Sequence, residues 1–245
     1  MRWFFLSVFV WITQSQGVVA EPVCASQSYA GNAYAVCRID VNTMRLETYN
    51  LNATGQPIAT FDALAANLKS EGKELRFAMN AGMFGLDLKP IGLYVEDGAM
   101  AKKLNKRDGY GNFHLKPNGV FYVAGNKLGV VATEDYVKLG ITPDFATQSG
   151  PMLVINGEIH PKFSETGASL KMRNGVGMLD DHTAVFVITE NAVNFHAFAT
   201  FFRDELKCAN ALFFDGSISS LYSTDLGRDD GLVPLGPMVG AIDLQ

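Results

Sequence analysis

The residues able to do chemistry in this chain sit where apolar runs break on glycine. Phe77-Ala78-Met79-Asn80-Ala81-Gly82-Met83-Phe84 reads as a strand that ends on an amide and a glycine. The amide offers a rigid donor and acceptor, and the glycine lets another group approach the backbone closely. Gln148-Ser149-Gly150-Pro151, Arg173-Asn174-Gly175-Val176-Gly177 and Phe214-Asp215-Gly216-Ser217-Ile218-Ser219-Ser220 have the same character. Junctions of this kind suit a composite pocket for polar, uncharged groups such as sugars. Arg173 adds one fixed cation and Asp215 one acid.

The elements that must carry these junctions are mostly strands. Residues 33–39 and 44–49 alternate apolar and polar around Asp40-Val41-Asn42-Thr43, which predicts a hairpin. Asn118-Gly119, Gly125-Asn126 and Asn156-Gly157 read as further hairpin turns, and Asp180-Asp181-His182-Thr183 as a solvated turn rather than a metal site. Helical spacing appears over 60–70, with Thr60 as N-cap, and over 195–207, where Phe198, Phe201, Phe202 and Leu206 share a face. Strands outnumber helices, so the expected class is α+β, with mixed, largely antiparallel sheets and a few packed helices. No repeat or linker divides the chain, so residues 21–245 read as one domain.

Composition excludes some roles. Of 245 residues 48% are hydrophobic and 18% charged, enough for an ample core, and the net charge of −5 gives no reason to expect nucleic acid. Residues 1–20 form a separate object: Arg2, an apolar stretch over 3–12, then Val18-Val19-Ala20 in the positions a signal peptidase reads. Cleavage after Ala20 would release a periplasmic or secreted protein with no transmembrane anchor. Glu21-Pro22-Val23 before Cys24 lacks the small residue that lipidation requires. In an oxidising compartment Cys24 and Cys37 can pair across a short N-terminal loop, with Cys208 a buried thiol, and no Cys/His cluster suggests zinc.

The ordered set Asn80-x-Gly82-x-Phe84, Pro90-x-Gly92, Asp97-Gly98, Ser149-Gly150-Pro151, Asn156-Gly157, Arg173-x-Gly175 with Gly177, and Asp215-Gly216-x-x-Ser219 resembles the phosphodiester glycosidase family. That family includes the catalytic domain of the lysosomal uncovering enzyme, which removes N-acetylglucosamine from a phosphodiester on mannose. The runs at 112–119 and 193–196 are similar to its secreted bacterial branch, and the resemblance covers residues 45–242. One stretch departs: the animal enzyme has an Asp-Gly-Gly-Gly-Ser type sequence where this chain reads Asp215-Gly216-Ser217-Ile218-Ser219.

The resemblance implies a hydrolase acting on a sugar-1-phosphodiester of a glycoconjugate, without a cofactor or metal. A phosphate leaving group lessens the need for a general acid, so a cation, a carboxylate and a water would suffice. Arg173 would grip phosphate as a bidentate fork, or alternatively form a surface salt bridge. Asp215 would activate water or steady a developing cation, or alternatively cap its own turn. Asn80 would hold a sugar group or satisfy backbone at the strand end. Gly82, Gln148, Ser149, Gly150, Asn174, Gly216, Ser217 and Ser219 complete the expected binding set. His114 and His196 join it, each with packing as the alternative reading. Phosphodiesterase cleavage at P–O, and a glycan-binding module without turnover, are the competing functions.

Overall fold

A computed structural model describes residues 22–244, so the signal peptide expected at 1–20 lies outside the described residues. In chain order the strands are β1 (Cys24–Tyr29), β2 (Asn32–Asp40), β3 (Met44–Tyr49), β4 (Leu75–Asn80), β5 (Tyr94–Glu96), β6 (Ala99–Lys102), β7 (Gly119–Ala124), β8 (Lys127–Ala132), β9 (Phe145–Ser149), β10 (Met152–Ile155), β11 (Glu158–Ile159), β12 (Asn174–Met178), β13 (Thr183–Thr189), β14 (Ala211–Asp215), β15 (Leu221–Ser223), β16 (Arg228–Asp229) and β17 (Met238–Asp243). The helices are α1 (Phe61–Ser70), α2 (Thr133–Leu139) and α3 (Phe195–Thr200).

These strands form three sheets, ordered β1-β2-β13-β12-β14-β10-β11, β16-β15-β4-β17-β3 and β6-β5-β9-β7-β8. All pairings among the described strands are antiparallel, as the hairpin signals imply. The α+β class with largely antiparallel sheets is therefore the architecture of this chain.

The three sheets enclose one apolar core. Phe186 of β13 sits at its centre, with ring centroids 4.9 Å from Phe77 of β4, 5.6 Å from Phe121 of β7 and 6.5 Å from Phe214 of β14. Each outer face meets a helix: α3 on the seven-stranded sheet, α1 on the β4 sheet and Tyr136 of α2 on the β7 sheet. β14 explains its own unbroken apolar run, because Leu212 and Phe214 enter the central core while Ala211 and Phe213 pack beneath α3.

Several local expectations change. The Cys24–Cys37 disulfide forms as expected, and the loop it closes is a hairpin, because the two cysteines stand directly opposite each other on β1 and β2. The consecutive polar run Ser26-Gln27-Ser28 lacks the alternation that marks a strand, which kept β1 hidden in the sequence. The long helix over 195–207 is α only to Thr200, then winds as a π turn over Phe201–Glu205. Asn118-Gly119 is no hairpin turn: buried Asn118 donates to Phe113 O at 3.0 Å and accepts from Thr133 Oγ1 at 2.8 Å, and Gly119 begins β7. Asn156-Gly157 is a turn, with φ of 50° and 86° at the two residues.

Candidate active site

The polar cluster lies at the seam between two sheets. β4 ends on Asn80 in one sheet, while β12 begins on Asn174 and β14 ends on Asp215 in the other. Asn174 and Asp215 face each other in register, and the segment 216–220 crosses from β14 to β15, the neighbour of β4. A chain that switches sheets at this point must leave polar strand ends together, which is why separated junctions meet.

Asn80 ties the seam. Its Oδ1 accepts from Asn174 Nδ2 at 2.8 Å and from the Ser220 amide at 2.9 Å, and Asn174 Nδ2 also donates to the Asn80 carbonyl at 2.9 Å. The remaining group, Asn80 Nδ2, points to Asp215 Oδ2 at 3.4 Å. Ser219 Oγ lies 3.1 Å from the Asp215 carbonyl, 3.2 Å from the Met172 carbonyl and 3.3 Å from Asn174 Oδ1, three acceptors for one proton. Asn80 and Asn174 are fully buried.

Asp215 is 9% exposed, and its Oδ1 accepts from the amides of Gly216 and Ser217, the latter at 2.8 Å. Burial raises its carboxyl above the usual aspartate value, and the backbone donors only partly offset that. A raised carboxyl at a strand end, free of ion pairs among the described residues, suits proton transfer.

Arg173 is neither a surface nor a sheet-edge ion pair. It is 1% exposed and has no carboxylate partner among the described residues. Its Nε donates to Val193 O at 3.0 Å and its Nη2 to Ser169 O at 2.7 Å, while Cζ stands 3.7 Å over the Phe195 ring. Burial pushes its pKa down to about 10. The fork anticipated for phosphate is thus occupied by carbonyls, which leaves Nη1 as the spare donor. Nη1 lies under the segment after Asp215: a Cβ at Gly216 would come within 3.3 Å of it and 3.2 Å of the Phe213 ring. A side chain at Gly216 would crowd the Phe213 ring and the guanidinium below it, a contact that Asp-Gly in sequence does not reveal.

The other anticipated residues divide. Ser149 is buried behind the site and donates to the Phe214 carbonyl at 3.1 Å. Exposed Ser217 carries a hydroxyl beside Asp215. Gly82, at φ 103°, packs on Thr147 and the Gln148 backbone, and Gly150 packs on Asn118 and Phe113. Gln148 spends its whole amide on structure: Oε1 accepts from Leu93 N and Asn105 N, and Nε2 donates to Asn105 O and Thr133 Oγ1. His114 stands 3.0 Å from the Arg107 carbonyl, edge-on to Phe113, and His196 faces a separate cavity beside α3. A cleft of about 510 Å³ lined by Glu47, Tyr49 and Glu96 also lies elsewhere in the molecule.

Sequence reading missed the column that supports Arg173. Phe195 stacks on Phe163 at 4.8 Å, Phe163 on His160 at 4.7 Å, and Phe213 meets Phe195 edge-on. Phe195 at the head of a helical apolar pattern was the available signal, though its partners come from unrelated segments. Buried His160 accepts from Lys162 N at Nδ1, and burial lowers its pKa, so it is neutral with the proton on Nε2 toward Lys116 O.

The YigE protein of Escherichia coli (strain K12) is 38% identical over 204 residues, covering 83% of this chain and 76% of that one. The zebrafish N-acetylglucosamine-1-phosphodiester alpha-N-acetylglucosaminidase catalytic domain, in a form auto-inhibited by its pro-peptide, superposes with a TM-score of 0.63 at 14% identity, covering 92% of this chain and 85% of that one. A Burkholderia pseudomallei K96243 protein described as exported gives 0.56 at 10% identity, covering 86% and 74%. The model of the phosphodiester glycosidase family matches residues 73–233, which span β4 to the segment before β17 and so include every polar group of the seam. The chain belongs to the phosphodiester glycosidase family.

Proposed function

We propose that the protein is an exported hydrolase that cleaves the C1–O bond of a sugar-1-phosphodiester in an envelope glycoconjugate. The observation that carries this reading is the pairing of a buried, raised carboxyl with an uncompensated guanidinium beneath the same glycine. In the reaction, water adds to C1 while the C1–O bond breaks, and the phosphomonoester leaves with the bonding pair. Asp215 takes the proton from water and later releases it to solvent. Arg173 favours the anion that accumulates on the leaving group, its charge little screened at such depth. Ser217, exposed beside Asp215, holds a sugar hydroxyl.

Export is supported by the signal-like first twenty residues, by the disulfide, and by the exported Burkholderia relative. No helix among the described residues is long and apolar enough to cross a membrane.

The test is hydrolysis of N-acetylglucosamine-1-phosphodiesters in oxygen-18 water, with Asp215→Asn as control. Oxygen-18 in the sugar, and a loss of about 10²-fold or more in kcat with Asp215→Asn, support the proposal. Oxygen-18 in phosphate would make the protein a phosphodiesterase. Binding without turnover would make it a glycan-binding module.

A further inference from the structure

The chain is acidic overall, yet its cations are unevenly placed. Residues 99–116 hold five of the 20 Lys and Arg but one of the 25 Asp and Glu, a basic stretch in a molecule of net charge −5. Most of these cations line one groove. It measures about 330 Å³ and is bounded by Ile91 and residues 102–107, among them exposed Lys102, Lys103, Lys106 and Arg107, with no acid in its wall. Lys106 meets Glu134 at 3.4 Å, whereas Lys102, Lys103 and Arg107 have no carboxylate partner among the described residues.

The fold fastens this stretch in place. Asn105 N donates to Gln148 Oε1 at 2.9 Å, Asn105 Nδ2 to Ile91 O at 3.0 Å, and Lys116 Nζ to Lys106 O at 2.9 Å. Lysine on an edge strand keeps other strands from pairing with it, and β6 is such an edge. That accounts for Lys102, the last residue of β6, but not for the three cations after it. Like charges held together against their repulsion, with so few acids among them, match an anionic partner.

The apolar side chains beside the groove say which partner. Tyr110 is fully exposed, Met100 of β6 mostly so, and Leu86 stands wholly in water at the tip of the 84–90 turn that leads into Ile91. An aromatic and an aliphatic side chain presented next to cations fit the boundary between lipid headgroups and acyl chains. A soluble polyanion gives such side chains nothing to bury against.

We propose that this groove and its apolar flanks form a docking surface for an anionic phospholipid bilayer, with headgroup phosphates among Lys102, Lys103, Lys106 and Arg107 and with Tyr110 and Leu86 at the acyl boundary. Docking does not depend on hydrolysis at Asp215. It adds a membrane surface as the place where the protein works. The groove and the seam are joined by a short stretch, since Ile91 N donates to the carbonyl of Met83, in the segment that follows Asn80.

The experiment is co-sedimentation of the whole mature protein with vesicles of phosphatidylcholine alone, or of phosphatidylcholine and phosphatidylglycerol in equal parts, at low and high salt. Binding to the anionic vesicles only, weakened by salt, is expected. Lys102→Gln/Lys103→Gln should bind them about ten-fold more weakly. Leu86→Ser/Tyr110→Ser should also lose about ten-fold for vesicles, while its affinity for inorganic polyphosphate stays that of wild type. Melting temperatures should not move, because all four side chains are exposed. Asp215→Asn should bind vesicles as wild type does, which separates docking from the seam. Equal binding to both kinds of vesicle, or binding to neither, overturns the proposal. Undiminished vesicle binding by Leu86→Ser/Tyr110→Ser also overturns it, because the groove would then be a site for soluble polyanions.

Discussion

At the scale of residues, the seam keeps two charges in poor solvation, and both should be visible in stability as well as in rate. The folded-state pKa of Asp215 lies above its unfolded value, so the native state binds the proton more tightly. Its contribution to stability is intact below the ordinary aspartate range and is lost as pH rises through the raised folded value. Asp215→Asn should therefore raise the melting temperature at neutral pH and lose that gain in acid, while hydrolysis falls by about 10²-fold or more. The acid limb of the wild-type rate profile should lie above the ordinary aspartate pKa. Arg173→Met tests the other charge. It removes the side-chain donor from Ser169 O and from Val193 O, which keeps the Lys171 amide, and relieves an unpaired buried cation, so stability should change by only about 1–2 kcal/mol while kcat/KM drops by about two orders of magnitude. Arg173→Lys keeps the charge without the planar reach to Val193 O and Ser169 O, and should fall between. Parallel melting curves and kinetics check both variants; retained turnover in Arg173→Met would remove the guanidinium from the mechanism.

At the scale of elements, the site depends on how segments are fastened to strand ends. Gln148 at the end of β9 binds the backbone of Leu93 and Asn105, and so fixes the 91–107 segment against the sheet. Gln148→Leu takes the side-chain partner from Leu93 N, Asn105 N and Asn105 O, while Thr133 Oγ1 keeps Asn118, and should cost about 3 kcal/mol in denaturant unfolding, with little change in kcat at temperatures where the variant is folded. Gly82→Ala forces a Cβ to 2.8 Å from Thr147 Oγ1 at a φ of 103°, a loss of about 2 kcal/mol. The departure from the animal Asp-Gly-Gly-Gly-Ser pattern has a local reason. Ile218 packs on the α1 side of its sheet, against the cluster of Phe61 and Leu64, so the crossing segment 216–220 is pinned by an apolar side chain where glycines would leave it free.

At the scale of the whole molecule, one core serves three sheets, and the site is the place where two of them exchange chain. The disulfide fastens β1, an edge strand of the largest sheet, to β2. Cys24 and Cys37 are 13 residues apart, so replacing both by serine should cost about 3 kcal/mol while activity at moderate temperature persists, because the seam lies across β13 and β12 from that edge. Denaturant midpoints under oxidising and reducing conditions, with an activity assay alongside, check this. Cys208 should resist alkylation in the native state: it is buried, and burial pushes its thiol up to about 12.

Periodicity and turn chemistry by themselves determined the α+β class, the hairpin at Asn156-Gly157, the Thr60 cap of α1, whose Oγ1 accepts from Ala63 N, and the glycine-flanked polar junctions. Those signals are local, and the physics that sets them acts over a few residues. Tertiary structure alone decided which junctions share a site. Asn80, Asn174, Asp215 and Ser219 meet because β14 and β15 belong to different sheets, whereas Gln148 and His196, equal to them in sequence, fell to structural bonds and to another cavity. It also decided that Arg173 would be a buried cation on Phe195 rather than part of a surface or sheet-edge salt bridge. Burial and partner identity are fixed by residues distant in the chain, and no local pattern encodes them.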